Sequence, residues 1–264
     1  MRDKNYLEAA KILFNHRLDK KGLKNLPEKL QPHDLDQAYK IQNELKILYL
    51  SLSKNESIGK KVGCTNKIAQ EQLDIFEPFY GSLFSRYSSE NHCKLKSTKF
   101  YKPFIEPEIS FKLKKDININ DAPFSFDDAK HLFKSMLPSL EIVDFRFGEN
   151  IKEVGIKNLI STNGASEYWI KGNEFPLNSI DLNDHSVKLY INDNLLAEGN
   201  TNLVLNNPIN SAIWLINKLA NSGEPMLKNQ FISTGTCTPA MKIIKNNFIK
   251  ADFGTLGNIE LNFI

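Results

Sequence analysis

The stretch that decides how this chain is read is Phe104-Ile105-Glu106-Pro107-Glu108-Ile109-Ser110-Phe111. In an extended strand every second side chain shares a face. Ile105, Ile109, Phe111 and Leu113 then fall together and read as core. Glu106 and Glu108 share the opposite face, about 7 Å apart at a rise of ~3.3 Å per residue. A second run, Leu140-Glu141-Ile142-Val143-Asp144, sets another glutamate among residues that read as buried. Three acids on largely interior strands need a neutralising partner, because burying an unpaired carboxylate costs several kcal/mol. A divalent cation is one such partner. Ligands that are all oxygen point to Mg²⁺ or Mn²⁺ rather than zinc. The pattern alone leaves a second reading open, in which Glu106 and Glu108 lie on the solvated face of an antiparallel sheet.

On either side of this stretch the same alternation predicts strands at Ser57–Gly63, Ser139–Phe147, Ser186–Ile191, Gln230–Gly235, Phe248–Gly254 and Asn258–Phe263. Helical spacing instead runs from Asp34 to Leu52, with Asp34 as N-cap and Gln37 three residues on, and a shorter helix is expected over Tyr6–His16. Two more helices are expected. One covers Ser125–Leu137 behind a Ser125/Asp128 capping box, and the other covers Pro208–Asn221 with Asn207 as its cap and Gly223 past its end. Strands that mostly do not alternate with helices argue against a doubly wound parallel sheet. They favour an α+β fold, a mainly β body of mixed sheet with a helical N-terminal cap over residues 1–55 and a catalytic β-rich part over 56–264.

Composition narrows the partners. The 264 residues carry 34 Lys+Arg against 31 Asp+Glu, a net charge of +3, with no run of five or more basic residues, so neither nucleic acid nor a lipid surface is indicated. No apolar stretch approaches the length that spans a bilayer. Three widely spaced cysteines, Cys64, Cys93 and Cys237, fit a reducing compartment better than a disulfide framework, and with no leader-like N-terminus the expectation is a cytoplasmic protein. The five histidines lie beside no nucleophile motif, and the glycines form no GxGxxG or Walker pattern.

Two further segments carry chemistry. In Ile58-Gly59-Lys60-Lys61-Val62-Gly63-Cys64-Thr65-Asn66, Lys61 shares a strand face with two glycines, which suggests room for a ligand beside an anion-binding or proton-shuttling lysine. Taken alone, the pattern favours an exposed strand lysine beside two turn glycines. Ser233-Thr-Gly-Thr-Cys-Thr-Pro239 is rich in hydroxyls and backbone donors suited to a carboxylate, or is simply a turn.

In order along the chain, Asp34-Leu-Asp-Gln-Ala-Tyr-Lys-Ile-Gln42, Gly59-Lys-Lys-Val-Gly-Cys-Thr-Asn66, Glu106-Pro-Glu-Ile-Ser-Phe111, Leu140-Glu-Ile-Val-Asp144 and Ser233–Pro239 resemble one known family. It is the 2-keto-4-pentenoate hydratase and 2-oxo-3-enedioate decarboxylase branch of the fumarylacetoacetate hydrolase superfamily. The resemblance implies a fumarylacetoacetase C-terminal-like fold, a homo-oligomer and a small 2-oxo acid substrate. It implies Mg²⁺ or Mn²⁺ held by Glu106, Glu108 and Glu141, with Lys61 as the catalytic lysine. Thr65, Tyr80, Asn163, Thr234, Gly235 and Thr236 are the implied substrate-binding candidates. The implied reaction is hydration of a 2-hydroxy-2,4-dienoate to a 4-hydroxy-2-oxo acid, with decarboxylation, acylpyruvate hydrolysis and a non-catalytic binding role as successive alternatives. Two departures bear on that choice. Pro78-Phe79-Tyr80-Gly81 stands where such hydratases usually have Pro-Asp-Phe-Gly, and Ser161-Thr162-Asn163 replaces Ala-Asp-Asn, so two acids are lost.

Overall fold

A computed structural model describes residues 4–148 and 150–264. In chain order its main elements are α1 (Lys4–Leu18), α2 (Leu35–Leu50), β1 (Ser57–Gly63), α3 (Lys67–Leu73), β2 (Phe79–Phe84), β3 (Ser88–Glu90), β4 (Cys93–Leu95), β5 (Pro103–Leu113), α4 (Ala129–Leu132), β6 (Phe133–Asp144), α5 (Ile151–Val154), α6 (Ile156–Ser161), β7 (Ser166–Lys171), β8 (Ser186–Ile191), β9 (Asn194–Asn200), α7 (Pro208–Asn221), β10 (Phe231–Thr236), β11 (Met241–Lys242), β12 (Asn247–Asp252) and β13 (Asn258–Phe263). The larger sheet runs β2-β1-β10-β5-β6-β7-β3, with β11 added to β5, and a second sheet runs β4-β13-β12-β8-β9. Most pairs are antiparallel, but β1 with β10, β3 with β7 and β13 with β4 are parallel. This is the expected α+β, mainly β architecture.

The odd-numbered residues of β5 explain where the core sits. Ile105, Ile109, Phe111 and Leu113 are fully buried and join one apolar cluster with Leu140 and Ile142 of β6, Val187 and Leu189 of β8, Ile249 of β12 and Leu261 of β13. Helix α7 packs into the same cluster through Ala212, Leu215, Ile216 and Leu219. Its expected cap is formed, the Asn207 side chain accepting from the Ile209 N–H, and Asp34 caps α2 by accepting from Gln37 N–H.

The expected helix over Ser125–Leu137 is only half present. The Ser125/Asp128 capping box forms and opens a short 3₁₀ turn and α4, but the chain turns extended at Phe133. The proline at 138 disfavours helix in the residue before it and cannot complete a helical turn. Phe133, Met136 and Leu137 instead pair with Leu113, Phe111 and Ser110 of β5.

Helices α1 and α2 form their own cluster around Leu13, Ile41, Leu45 and Tyr49, which also takes in Phe84 of β2. Polar bonds tie them to the sheet. The Gln42 amide donates to the carbonyls of Tyr80 (2.9 Å) and Ile160 (2.8 Å). Arg17 donates to Glu167 Oε1 (3.1 Å), and Arg146 donates to both Glu167 Oε2 and Asp144 Oδ2 at 2.9 Å. The Arg17 guanidinium also lies 4.1 Å from the Tyr87 ring centroid. No described helix is long and apolar enough to cross a membrane.

Candidate metal centre and substrate cavity

Strand register assembles the acids. On β5 and β6, Glu106 pairs directly with Glu141, and Glu108 with Ser139, so all three carboxylates emerge from one face of the sheet. Each offers a ligand oxygen, and those oxygens lie within 4.8 Å of one another. Glu108 and Glu141 are completely buried, while Glu106 reaches the wall of a cavity. The alternative of a solvated sheet face is therefore excluded. Lys61 comes from β1, which is separated from β5 by β10 alone. Its Nζ stands 3.0 Å from Glu141 Oε2 and donates to the Gly164 carbonyl at 3.3 Å.

The electrostatics are those of a crowded acid site. Burial, reinforced by Glu141 and opposed by Lys61, pushes Glu106 up to about 7. Burial and then Glu141 raise Glu108 well above the ordinary carboxylate range. For Lys61, burial pulls downward, but Glu141, Glu106 and Glu108 outweigh it and hold the ammonium above its usual value. Glu108 Oε1 and Glu141 Oε1 are buried and accept no hydrogen bond. Buried carboxylate oxygens without donors, converging on one point, suit a hard divalent cation, and Mg²⁺ binds carboxylate oxygens in this way. The donor set fits such an ion.

Beneath the acids lies a hydroxyl network. Ser233 donates to Glu108 Oε2, the Ser110 and Ser139 hydroxyls are 2.7 Å apart, and the Trp169 indole N–H donates to Ser233 Oγ at 3.1 Å. All four residues are buried, so these bonds hold Glu108 in one orientation. Sequence reading missed Ser110, Ser139 and Trp169. The serines were findable, since each lies two residues from a site glutamate on the same strand and so shares its face. Trp169 lies on β7, separated from the β10 strand of Ser233 by β5 and β6, and gives no local signal.

The cavity of about 490 Å³ is lined by Lys61, Thr65, Gly235, Thr236 and Glu106 together with Cys64, Asn66 and Thr238. The structure thus brings Thr65, Gly235 and Thr236 to the acids and Lys61. Three other candidates are placed elsewhere. Thr234 is buried on the far face of β10 and donates to the Ile109 carbonyl (2.7 Å). Asn163 exchanges two hydrogen bonds with the backbone of Ser82. Tyr80 stacks on Tyr39 and faces a separate groove beside α2 and the C-terminal end of α7. Thr162 returns its hydroxyl to the carbonyl of Asn158 within its own helix. No described histidine lines the cavity, and burial pushes the Cys64 thiol up to about 12, so it is not a thiolate at neutral pH.

The glycines beside Lys61 make room for protein rather than for ligand. A Cβ on Gly63 would meet the Phe79 ring at 2.5 Å, one on Gly164 would meet it at 2.9 Å, and one on Gly59 would meet the Phe231 carbonyl oxygen at 2.1 Å. Phe79, the residue that replaces the expected aspartate, fills the space over Gly63 and Gly164 and presents its ring 5.6 Å from the Lys61 ammonium.

No model of a known protein family matches the chain. Comparison with curated proteins gives 26% identity over 257 residues, 97% of this chain and 95% of the other, to 2-keto-4-pentenoate hydratase 1 of Dechloromonas aromatica (strain RCB). Among solved structures, 4-oxalocrotonate decarboxylase from Pseudomonas putida G7, complexed with magnesium and adipate, superposes with a TM-score of 0.91 at 25% identity and covers 98% of this chain and 97% of its own. A fumarylacetoacetate hydrolase family protein from Yersinia pestis CO92 shares the fold more loosely, with a TM-score of 0.59 at 12% identity, covering 78% of this chain and 94% of its own. The fold is thus fumarylacetoacetate hydrolase-like. Within it, the chain is a homologue of the 2-keto-4-pentenoate hydratases and of 4-oxalocrotonate decarboxylase, all of them lyases.

Proposed function

We propose that this protein is a divalent-metal-dependent hydratase of small 2-hydroxy-2,4-dienoates, forming 4-hydroxy-2-oxo acids, with Glu106, Glu108 and Glu141 as the metal ligands and Lys61 as the catalytic residue. The observation that carries the reading is the convergence of three carboxylates, two of them buried with oxygens lacking any donor, beside a buried lysine that lines a cavity. Mg²⁺ or Mn²⁺ held there would supply a Lewis acid for the 2-oxygen and C1 carboxylate of a 2-oxo acid.

The chain's own groups do the rest. Three carboxylates and one ammonium sum to −3 + 1 = −2, so the protein part of the site neutralises a divalent ion and leaves no excess positive charge. Lys61 is the one described cation of the lining, which places it to steer the substrate carboxylate or to carry a proton at Nζ. Thr65, Gly235 and Thr236 border the same space and are positioned to orient that carboxylate. Protonation of the dienol at its terminal carbon gives the conjugated 2-oxo-3-enoate, and water then adds at C4. The buried serines and Trp169 keep Glu108 fixed while charge moves.

Decarboxylation of a 2-oxo-3-enedioate is the second reading, and Phe79 is the observation that favours it. An apolar ring stands where a carboxylate that helps activate groups in the hydratases is expected, and no described side chain of the lining restores an acid besides Glu106. Three free cysteines support a cytoplasmic setting, and a homo-oligomer is part of the same proposal. The test is a Mg²⁺- or Mn²⁺-dependent assay on 2-hydroxypenta-2,4-dienoate and 2-oxo-3-hexenedioate in parallel. Loss of dienoate absorbance with a 4-hydroxy-2-oxo acid product is expected, CO₂ from the diacid alone would select the second reading, and silence on both with metal bound would refute the proposal.

A further inference from the structure

Away from the acids the cavity wall is largely apolar. Ile68, Phe79, Phe104, Val143, Phe145 and Leu159 line it beside the neutral amides of Asn66, Gln72 and Asn150, whereas Lys61 is the single cationic side chain among the described lining residues and already contacts Glu141. The volume, about 490 Å³, falls in the range of about 300–1,000 Å³ that accommodates ligands much larger than a five-carbon acid. A 2-oxo acid seated with its C1 carboxylate toward Lys61 sends its remaining carbons along these apolar walls. A second carboxylate carried there would lose water, find no described cation, and share the cavity with the partly exposed acid Glu106.

Resting on the functional reading above, we infer that this enzyme's substrate is a monocarboxylic 2-oxo acid or its dienol whose tail beyond C4 is uncharged and longer than one carbon, and that dicarboxylates of the same length are rejected. The apolar lining selects for tail length, and the missing counter-charge selects against the second acid. The two effects are separable, because one depends on area removed from water and the other on an unpaired ion.

Binding without turnover tests both. Affinities for pyruvate, 2-oxobutanoate, 2-oxohexanoate and 2-oxooctanoate are measured calorimetrically on the Mg²⁺-loaded protein, with 2-oxoadipate as the six-carbon diacid. The expected ladder tightens about fourfold per added methylene, equivalent to the transfer of about 0.8 kcal/mol per buried CH₂. 2-Oxoadipate is expected to bind about a hundredfold more weakly than 2-oxohexanoate. A ladder that is flat, or a diacid that binds as tightly as the monoacid, overturns the inference while leaving the metal-dependent lyase intact. CO₂ release from 2-oxo-3-hexenedioate at a kcat/KM matching the best monocarboxylic dienoate overturns it as well. If none of these acids binds in the presence of Mg²⁺, the functional reading itself falls, and the inference with it.

Discussion

Replacing Glu108 by glutamine removes one charge from the acid centre with almost no change of shape, and its consequences can be worked out in two states. Without metal, Glu108 faces two other carboxylates within 4.8 Å. At an effective dielectric of about 20, each such repulsion is worth about 3 kcal/mol, partly offset by Lys61 and by proton uptake. Glutamine relieves it, and its amide can still meet the Ser233 hydroxyl. The metal-free Glu108→Gln protein should therefore melt at or above the wild-type temperature. With metal the order reverses. Mg²⁺ at about 100 times its dissociation constant contributes ~2.7 kcal/mol to the wild type, a rise in Tm of about 5–10 °C for a chain of this size. If loss of a charged ligand weakens binding about a hundredfold, the same Mg²⁺ concentration contributes only ~0.4 kcal/mol to the variant, about 1–2 °C. Differential scanning calorimetry in EDTA and in Mg²⁺ reads all four values. A variant that keeps the full metal-dependent rise would refute the assignment of Glu108 as a ligand. A metal-free variant that melts several degrees below wild type would refute the charge-crowding argument.

Other substitutions probe separate parts of the molecule. Lys61→Met leaves the three clustered acids, two of them buried, without their cation, so it should lower metal-free stability by about 3–5 kcal/mol in urea melts and reduce kcat/KM about a hundredfold or more even when Mg²⁺ restores the fold; an active enzyme would make Lys61 a mere counter-ion. Glu167→Gln strands the Arg17 and Arg146 guanidinium groups and should cost about 2–4 kcal/mol, with metal affinity unchanged by titration calorimetry. Lys60 offers a test in pH. Its Nζ is buried 2.8 Å from Glu224 Oε1, which Lys46 also contacts, and burial together with Lys46 outweighs Glu224 to bring it down to about 8. A lysine whose folded pKa is depressed destabilises fully below about 8, and that penalty fades as pH rises toward its unfolded value near 10.5, where both states are neutral. Lys60→Met should thus be more stable than wild type at pH 7 by up to about 3 kcal/mol, the advantage shrinking between pH 8 and 10.5. A difference that stays constant with pH would show that Lys60 is not held in this way.

Much of the centre was legible because a strand writes its faces into the sequence with period two. Glu106 and Glu108 sort from Ile105, Ile109 and Phe111 without any tertiary information, and β1, β8, β13 and α7 have the bounds their alternation and caps predict. What period two does not encode is which strand lies beside which. That Glu141 stands opposite Glu106, and that β10 interposes Ser233 between Lys61 and the acids, are facts of long-range register. The same limit explains β2, β7 and β9, which lack clean alternation, and the misread Phe133–Leu137, whose apolar spacing suits a helix until pairing with β5 decides otherwise. Thr234 and Thr236 show where the rule fails: a bulge at the glycine between them, between Ser233 and Thr236, puts two residues of a period-two pair on opposite faces, one bonded to the Ile109 carbonyl and the other lining the cavity.

The fit of Phe79 over two glycines makes these three positions one unit of variation. Gly164 sits at φ +66°, where any L residue is strained, but Gly63 has no such restriction and meets only the ring itself. A chain that shortens residue 79 can refill the gap from position 63 and from nowhere else in the trio. Gly63→Val alone should therefore be severely disruptive, Phe79→Ala alone should leave a void beside Lys61, and the two together should restore much of what each loses. In this protein the identity of the residue beside the lysine is thus fixed from the strand across from it, so that swapping the ring for an acid in order to redirect chemistry requires redesign on β1 as well as β2.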